Sequence, residues 1–387
     1  MISVLRLLRK PRQIAGLIAI TAILASCQAT TPGTGARISG QTVQVAMLLP
    51  MTSAQGGDAV IARSLENAAR MAAADLSGVT IEITVYDTAG QAARAAAVAR
   101  EAVAAGADVI LGPLRSDAAA AVGVAVANSD IAVLSFSNNT EIAGGNVFVL
   151  GHTFQNSAAR VISFAASQGR SRIVVAHGQN LAGEVARDAV LNAARSVNAS
   201  IVSVVPYEFS QGGVIDAVPR IVSAVRDGGA NAVMLTADSA GALPFLAQLL
   251  PENGLDTATV QMMGLTRWDT PPQTLELSGL QGGWFALPDP QASAGFDTRY
   301  AAAYGGPSHI LGGLGYDAIR AVGETVITTG RLTPQNLSAS AGFQGANGVF
   351  RLRGDGTNER AMAIAQVIDN QVAVIDPAPR RLAGFGF

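Results

Sequence analysis

The chain alternates between short β-branched apolar runs and longer alanine-rich segments whose apolar residues recur every three or four positions. In the first half, the runs predict buried strands at 43–49, 79–86, 109–111 and 131–134. The helical spacing predicts helices at 58–76, 91–105 and 116–128. Such repeated β-α-β units form parallel sheets covered by helices on both faces.

The alternation restarts after Gly151 and predicts a second sheet. Its strands are predicted at 173–176, 201–205, 232–235 and 259–263. Its helices are predicted at 156–168, 184–197, 215–227 and 240–250, followed by a late helix at 316–329 and a closing strand pair, 348–352 with 363–368. The expected fold is therefore α/β, with two doubly wound parallel-sheet lobes and a ligand cleft between them. Ligands of such sheets collect outside the carboxyl ends of the strands.

The N-terminal segment has the parts of a secretory signal peptide. Four basic residues precede an apolar run at 14–24, and roughly ten residues cannot span a bilayer core of about 30 Å. Residues 24–27, Leu-Ala-Ser-Cys, resemble the lipobox, which implies that residues 1–26 are removed and that Cys27 becomes a lipid-bearing N-terminus. The alternative is an ordinary signal peptide with an incidental cysteine. Residues 27–40 are rich in Thr, Pro and Gly and are predicted to form a flexible tether.

Composition and charge narrow the possible functions. Hydrophobic residues make up 49% of the chain and charged residues 14%, so the protein can bury a large core. Because four of the 26 basic residues precede Cys27, the mature chain would carry a net charge of −6, which argues against a nucleic-acid partner. Lys10 is the only lysine and lies in the signal, so Schiff-base and phosphate-loop lysines are excluded.

Residues suited to catalysis or metal binding are sparse. His152, His177 and His309 are far apart, and none begins a metal-ligand spacing. The chain has no Gly-x-Ser-x-Gly elbow. Residues 313–318 match a dinucleotide fingerprint, but no β-branched strand leads into them, so they are interpreted as the start of a helix. We expect no metal, no cofactor and no enzymatic activity.

Four short segments resemble type I periplasmic binding proteins of the leucine-binding kind. They lie at 45–50, 86–88, 112–116 and 315–318. The resemblance implies a chain that crosses between two lobes near Gly151, Leu287 and Gly345. The first lobe would then hold 41–151 and 288–345, the second 152–287 and 346–376, and residues 377–387 would form a C-terminal tail.

In the first lobe, the resemblance places the ligand carboxylate at Ser116, with Leu114 in the turn before it. Ser116 opens a predicted helix, where free backbone amides and the helix dipole favour an anion. The alternative is that Ser116 only caps its helix. The second contact segment falls on Ser137, Asn138 and Asn139, although asparagines of this kind also form turns without a ligand.

In the second lobe, the resemblance places ligand contacts at Asp238 and Thr266. Trp268 is a further candidate contact; Trp268 and Trp284 could each line the cleft or pack in the core, and packing is the commoner role of a single tryptophan. The sequence departs from amino-acid binders here. Ala182 stands at the usual aromatic position, Asp238 replaces a tyrosine, and Thr266 replaces the acid that pairs with the ligand ammonium. A lost charged partner of this kind is worth about 1.5 to 3 kcal/mol, so an unmodified leucine-type ligand is disfavoured unless Asp238 supplies the charge from another direction.

Residues 264–269 and 282–285 are similar to lipoproteins that activate penicillin-binding proteins. This similarity predicts a periplasmic, lipid-anchored regulator of a peptidoglycan synthase. Gln28 after the lipidated cysteine resembles lipoproteins sorted to the outer membrane. The alternative function is a solute-binding receptor that delivers amino acids or other small polar ligands to the permease of an ABC importer.

Overall fold

A computed structural model describes residues 42–382, which build two α/β lobes. The predicted signal peptide at 1–26, the whole predicted tether at 27–40 with Cys27, residue 41 and residues 383–387 lie outside the described residues. In the first lobe, the strands are β1 (Thr42–Leu49), β2 (Thr80–Asp87), β3 (Val109–Leu111), β4 (Ala132–Ser135) and β5 (Val147–Val149). The helices between them are α1 (Asp58–Asp75), α2 (Ala92–Ala104) and α3 (Ser116–Ala125).

The five strands of the first lobe form one parallel sheet in the order β2-β1-β3-β4-β5. Helix α1 buries Ala62, Leu65, Ala69 and Ala72 against one face of it, as its apolar spacing predicts. Helices α2 and α3 cover the opposite face. Alanine on the buried faces lets the helices lie close to the sheet, because it adds little bulk between the two layers.

The chain then enters the second lobe and alternates again. Its helices are α4 (Phe154–Ser167), α5 (Leu181–Ser196), α6 (Gln211–Gly228) and α7 (Leu243–Glu252). Its strands are β6 (Arg172–Gly178), β7 (Ser200–Tyr207), β8 (Ala232–Leu235), β9 (Gln261–Gly264) and β10 (Trp284–Pro288). These five strands are parallel and lie in the order β10-β9-β8-β6-β7. Apolar cores lie on both faces, so the prediction of two parallel-sheet lobes is confirmed.

After β10 the chain returns to the first lobe. Helices α8 (Pro290–Tyr304), α9 (Gly313–Thr329) and α10 (Pro334–Ser338) are followed by a small antiparallel sheet of β11 (Phe343–Gly345), β12 (Gly348–Leu352) and β13 (Asn358–Arg360). The glycine-rich residues 313–318 begin α9, and a Cβ on Gly315 would lie 2.1 Å from the Leu65 carbonyl oxygen. The glycine at this position therefore allows α9 to pack closely against α1.

The third crossing lies later in the chain than the predicted position near Gly345. Phe350 and Leu352 belong to the apolar core of the first lobe, and β12 pairs only with β11 and β13. Gly345 and Gly348 form the turn of a hairpin rather than a link between lobes. The crossing falls at Ala361, before β14 (Met362–Ile368), which joins the second sheet with β15 (Gln371–Asp376).

The predicted pairing of 348–352 with 363–368 is therefore wrong. The first of these strands lies in the small sheet of the first lobe, whereas the second pairs antiparallel with β10 and β15. Both segments are strands, as predicted, but the local spacing of apolar residues carries no information about which sheet a strand joins.

Candidate functional site

The turn after β3 brings Ser116 to the carboxyl edge of the first sheet. Gly112 has a φ of +89°, and a Cβ there would lie 2.4 Å from the Leu48 carbonyl oxygen, so this turn requires glycine. Ser116 is the first residue of α3, and Arg115 before it forms no side-chain cap. Within the described residues the Ser116 hydroxyl makes no hydrogen bond. The amides at the start of α3 are thus open to an anion.

An ion pair between Arg115 and Asp58 stabilises this turn. The Asp58 carboxylate, which is 2% exposed, accepts a hydrogen bond of 2.6 Å from Nη2 of Arg115. It also accepts one of 2.7 Å from the Ser53 hydroxyl. Since Asp58 neutralises Arg115, this arginine acts mainly to hold the turn next to Ser116. Sequence reasoning missed the pair because two strands, two helices and their loops lie between its members. Leu114, in the same turn, is half-buried against the first core.

In the segment after β4, most polar side chains form hydrogen bonds with neighbouring residues of the same segment. Ser137 is buried, and its hydroxyl accepts a hydrogen bond of 3.1 Å from the backbone N–H of Asn139. The Asn139 side chain accepts one of 2.9 Å from the N–H of Glu141 and caps a short 3-10 helix. The side chain of Asn138 is exposed and has no hydrogen-bond partner among the described residues. Of the three predicted contacts, Asn138 is the most available to a ligand.

The second lobe presents Asp238 and Thr266 at the carboxyl edge of its sheet. Asp238 follows β8; it is exposed, and its carboxylate forms no ion pair or hydrogen bond with another described residue. The Thr266 hydroxyl, after β9, donates a hydrogen bond of 3.0 Å to the Ala237 carbonyl oxygen. Thr266 therefore holds the loop that carries Asp238. Ala182, at the usual aromatic position, is exposed on the first turn of α5.

The prediction that Trp268 contacts a ligand is corrected by its burial. Its side chain is 0% exposed and lies in the core of the second lobe, with its ring centroid 5.7 Å from that of Phe285. A Cβ on Gly264 would lie 2.3 Å from the indole, and one on Gly283 would lie 2.5 Å from it. The indole thus fills a slot between two glycines. Trp284 is also buried, edge-on against Phe164.

A buried polar network joins the first and third crossings. Nη1 of Arg360 lies 2.7 Å from Oδ2 of Asp317, and both side chains are at most 2% exposed. Nη2 and Nε of Arg360 donate hydrogen bonds of 2.5 and 3.1 Å to the Leu150 carbonyl oxygen. The other Asp317 oxygen accepts one of 2.7 Å from the N–H of Ala346. Burial raises the pKa of Asp317, and the Arg360 charge opposes this rise. Arg360 therefore links the first crossing to α9, because it binds both the Leu150 carbonyl oxygen and the Asp317 carboxylate.

Two asparagines extend this network toward the second lobe. The Asn358 amide donates hydrogen bonds of 2.7 and 2.9 Å to the carbonyl oxygens of Val149 and Gly151. The Asn156 amide, on α4, donates one of 2.7 Å to Oδ1 of Asn358. Oδ1 of Asn156 accepts one of 3.2 Å from the N–H of Arg360. The two crossings thus meet beside the carboxyl end of β5 and the beginning of α4.

His152 lies in the first crossing, directly after Gly151. Its Nδ1 is buried and has no hydrogen-bond partner in the described part of the chain. Burial, together with the positive charges of Arg360 and Arg267, holds the pKa of His152 well below its ordinary value. The ring is therefore neutral at pH 7. Arg267, one of the two arginines whose charge lowers this pKa, directly follows Thr266.

No group of three or more His, Cys, Asp or Glu side chains in the range 42–382 is arranged to hold a metal ion. Over the same range, no helix combines the length and the apolar character needed to cross a bilayer.

The two parallel-sheet lobes, between which the chain crosses repeatedly, define the fold of a periplasmic binding protein. The periplasmic binding protein family profile matches residues 42–371. The chain therefore belongs to the type I periplasmic binding protein family, with a leucine-binding-like fold, as its sequence motifs indicate. A periplasmic location is characteristic of this family.

Individual relatives are distant. A Rhodospirillum rubrum protein assigned to a branched-chain amino acid ABC transporter superposes with a TM-score of 0.73 at 18% identity, covering 86% of this chain and 100% of that one. A solute-binding protein from Rhodopseudomonas palustris BisB5, in complex with 3,4-dihydroxybenzoic acid, has a TM-score of 0.59 at 18% identity, covering 87% and 97%. An uncharacterised protein from Rickettsia prowazekii (strain Madrid E) is 29% identical over 143 residues, or 36% of this chain, and the match spans only 38% of that relative.

Proposed function

We propose that this protein is a solute receptor that binds a small polar ligand between its lobes and delivers it to the permease of an ABC importer. The supporting observation is that each lobe carries polar groups without a partner at the carboxyl edge of its sheet. Ser116 and the open amides of α3 stand on the first lobe, and the unpaired carboxylate of Asp238 stands on the second. The Rhodospirillum and Rhodopseudomonas relatives are named for transport or solute binding, which supports the same function.

A regulator of a penicillin-binding protein has less support. The residues that resemble such activators, 264–269 and 282–285, surround the buried indole of Trp268 and the slot that holds it. Packing inside the second lobe explains why these two segments resemble activator lipoproteins. The resemblance therefore does not identify a surface that would bind a synthase. Solute delivery is therefore the function that we favour.

We further propose that Cys27 anchors the protein to a membrane by its acyl chains. A lipid anchor would keep the receptor close to its permease, and more than one acyl chain is needed for stable attachment. An inner-membrane anchor fits delivery to a permease, whereas the outer-membrane sorting suggested by Gln28 fits it less well. Fractionation of the two membranes distinguishes these locations.

A ligand screen tests the receptor function. The purified protein is tested against a library of amino acids, organic acids and other small solutes by thermal shift, and hits are measured by calorimetry. We expect at least one solute to bind and to reduce the radius of gyration in solution scattering, because closure of the lobes buries the ligand. If no solute binds, or if binding leaves the lobes open, the receptor function is refuted.

A pair of serine variants tests the position of the site. Ser116→Ala removes one donor, and a neutral hydrogen bond of about 0.5 to 1.5 kcal/mol corresponds to roughly two- to tenfold weaker binding. Ser278→Ala is the matched control, since Ser278 is also the first residue of a helical turn and is exposed on the second lobe. Equal effects of the two substitutions would place the ligand elsewhere.

A further inference from the structure

The residues after β15 lead from the second lobe back to the first. Residues 377–382 follow β15, an edge strand of the second sheet. At the other end of this segment, Cδ1 of Leu382 lies 4.0 Å from the position of a Cβ on Gly342. Gly342 directly precedes β11 of the first lobe. Residues 377–382, which we call the strap, therefore connect the lobes a fourth time, after the three crossings.

Arg160 holds the beginning of the strap on the second lobe. This arginine lies on α4, and its Nη2 donates hydrogen bonds of 2.7 Å to Oδ2 of Asp376 and 3.3 Å to the Pro377 carbonyl oxygen. Its Nε donates one of 2.6 Å to the carbonyl oxygen of Met362, the first residue of β14. Ala378 then packs against the apolar core of the second lobe. The strap is thus fixed to the lobe that it leaves.

Leu382 holds the end of the strap on the first lobe. The position of a Cβ on Gly342 also lies 3.1 Å from Cγ1 of Val349 and 3.4 Å from the Phe350 carbonyl oxygen, and both of these residues belong to β12. Because glycine has no side chain, the Leu382 side chain can approach the first lobe at this point. Exposure follows the same pattern, since Ala378 and Leu382 are half-buried whereas the other strap residues are exposed. Two half-buried side chains thus fix the strap, one on each lobe.

The sequence of the strap favours a stiff spacer. Pro377 and Pro379 have φ restricted to about −65°, which favours the extended polyproline II conformation. A polyproline II segment rises about 3.1 Å per residue, so the chain from Ala378 to Leu382 spans about 12 Å. A spacer of this kind bends little and changes its length little. Movement of one lobe relative to the other must therefore detach one end of the strap or strain it.

We propose that the strap restrains the movement of the two lobes and holds them in the arrangement that the structure shows. This inference goes beyond the proposed receptor function and does not depend on it, because the strap acts on the lobes with no solute present. Detaching Leu382 exposes a half-buried leucine side chain to water. Its partial burial corresponds to about a three- to tenfold change in the population of the detached state. Loss of the contact should therefore let other arrangements of the lobes become populated.

Distances between spin labels on the two lobes test the restraint. Cys27 is the only cysteine of the chain, so Cys27→Ser in the full chain gives a background without other thiols. Labels are attached at Val124→Cys on α3 and Ile215→Cys on α6, where the native side chains are 80% and 48% exposed. Double electron–electron resonance without solute then gives the distribution of distances between the lobes. We expect one main distance when the strap is intact, and a broad distribution there would overturn the inference.

Three strap variants give the comparison, and thermal melting checks that each of them folds. Leu382→Ala shortens the side chain that contacts the first lobe and should raise the share of other distances about three- to tenfold. Pro379→Gly keeps both contacts but makes the strap flexible, so it should broaden the distribution. Arg380→Ala, at an exposed strap residue, is the matched control and should leave the distribution unchanged. The inference is overturned if either test variant gives the distribution of the control. Because no solute is used, that result would leave the receptor function standing.

Discussion

Arg360→Met should destabilise the protein far more than loss of a surface arginine. The substitution leaves the Asp317 carboxylate, which is 0% exposed, without its ion-pair partner and removes both donors to the Leu150 carbonyl oxygen. Removing one member of a buried pair costs about 3 to 5 kcal/mol, because the remaining charge stays in a medium that solvates it poorly. Arg360 also lies over the Phe350 ring at 4.9 Å, which adds a smaller loss.

The cost is measured by denaturant unfolding of the purified protein, followed by circular dichroism. Arg226→Met is the matched control, since Arg226 pairs with Asp227 and both side chains are about 70% exposed. An exposed pair contributes at most about 1 kcal/mol. The double variant Asp317→Asn/Arg360→Met should be more stable than Arg360→Met alone, because it removes the stranded charge and keeps an acceptor for the N–H of Ala346.

A pH series adds a second measurement. In Arg360→Met the pKa of Asp317 in the folded state should rise further above that in the unfolded state. Stability of this variant should therefore recover as pH falls from 7 towards 5, by at most about 1.4 kcal/mol per pH unit for one proton. The reasoning is refuted if Arg360→Met costs no more than Arg226→Met, or if the double variant loses the sum of the two single losses.

Three further predictions concern other parts of the chain. Cys27→Ser should block lipid attachment and shift the protein out of the membrane fraction, which immunoblotting of cell fractions detects. His152→Gln should flatten the pH dependence of stability, because the pKa of His152 is depressed in the folded state. The neutral ring's contribution to the free energy of unfolding is complete above the unfolded-state pKa of about 6.5 and is lost as the pH falls below that value. Gly264→Ala should destabilise the second lobe by about 1 to 3 kcal/mol through overlap with the Trp268 indole, measured by denaturant unfolding.

Each of these predictions has a clear contrary result. Unchanged processing and fractionation of Cys27→Ser would refute the lipobox interpretation. An unaltered slope between pH 7 and 5 in His152→Gln would show that another group carries the pH dependence. Gly295→Ala is the control for Gly264→Ala, because Gly295 lies in a helix where an added Cβ meets nothing within 4 Å. If the two variants are equally stable, the packing argument is refuted.

The sequence by itself determined the class of fold and most of the elements, although β5, β10, α8 and β15 were not predicted from it. Apolar runs with β-branched residues placed β3 at 109–111, β8 at 232–235 and β12 at 348–352, where the structure has the same bounds. The position of Ser116 at the start of a helix was equally predictable. These features depend on the spacing of neighbouring residues, which a sequence displays directly.

Only the tertiary structure decided which of these residues come together. Arg360 and Asp317 are 43 residues apart, and nothing in either local pattern indicates that they pair. Trp268 follows a strand and has the position of a cleft residue, yet it lies in the core because Gly264 and Gly283 leave a slot of its shape. Phe209 and Asp238 become neighbours because β7 and β8 both flank β6 in the sheet. Contacts of this kind depend on strand order and packing between distant segments, whereas periodicity records only the face that each segment buries.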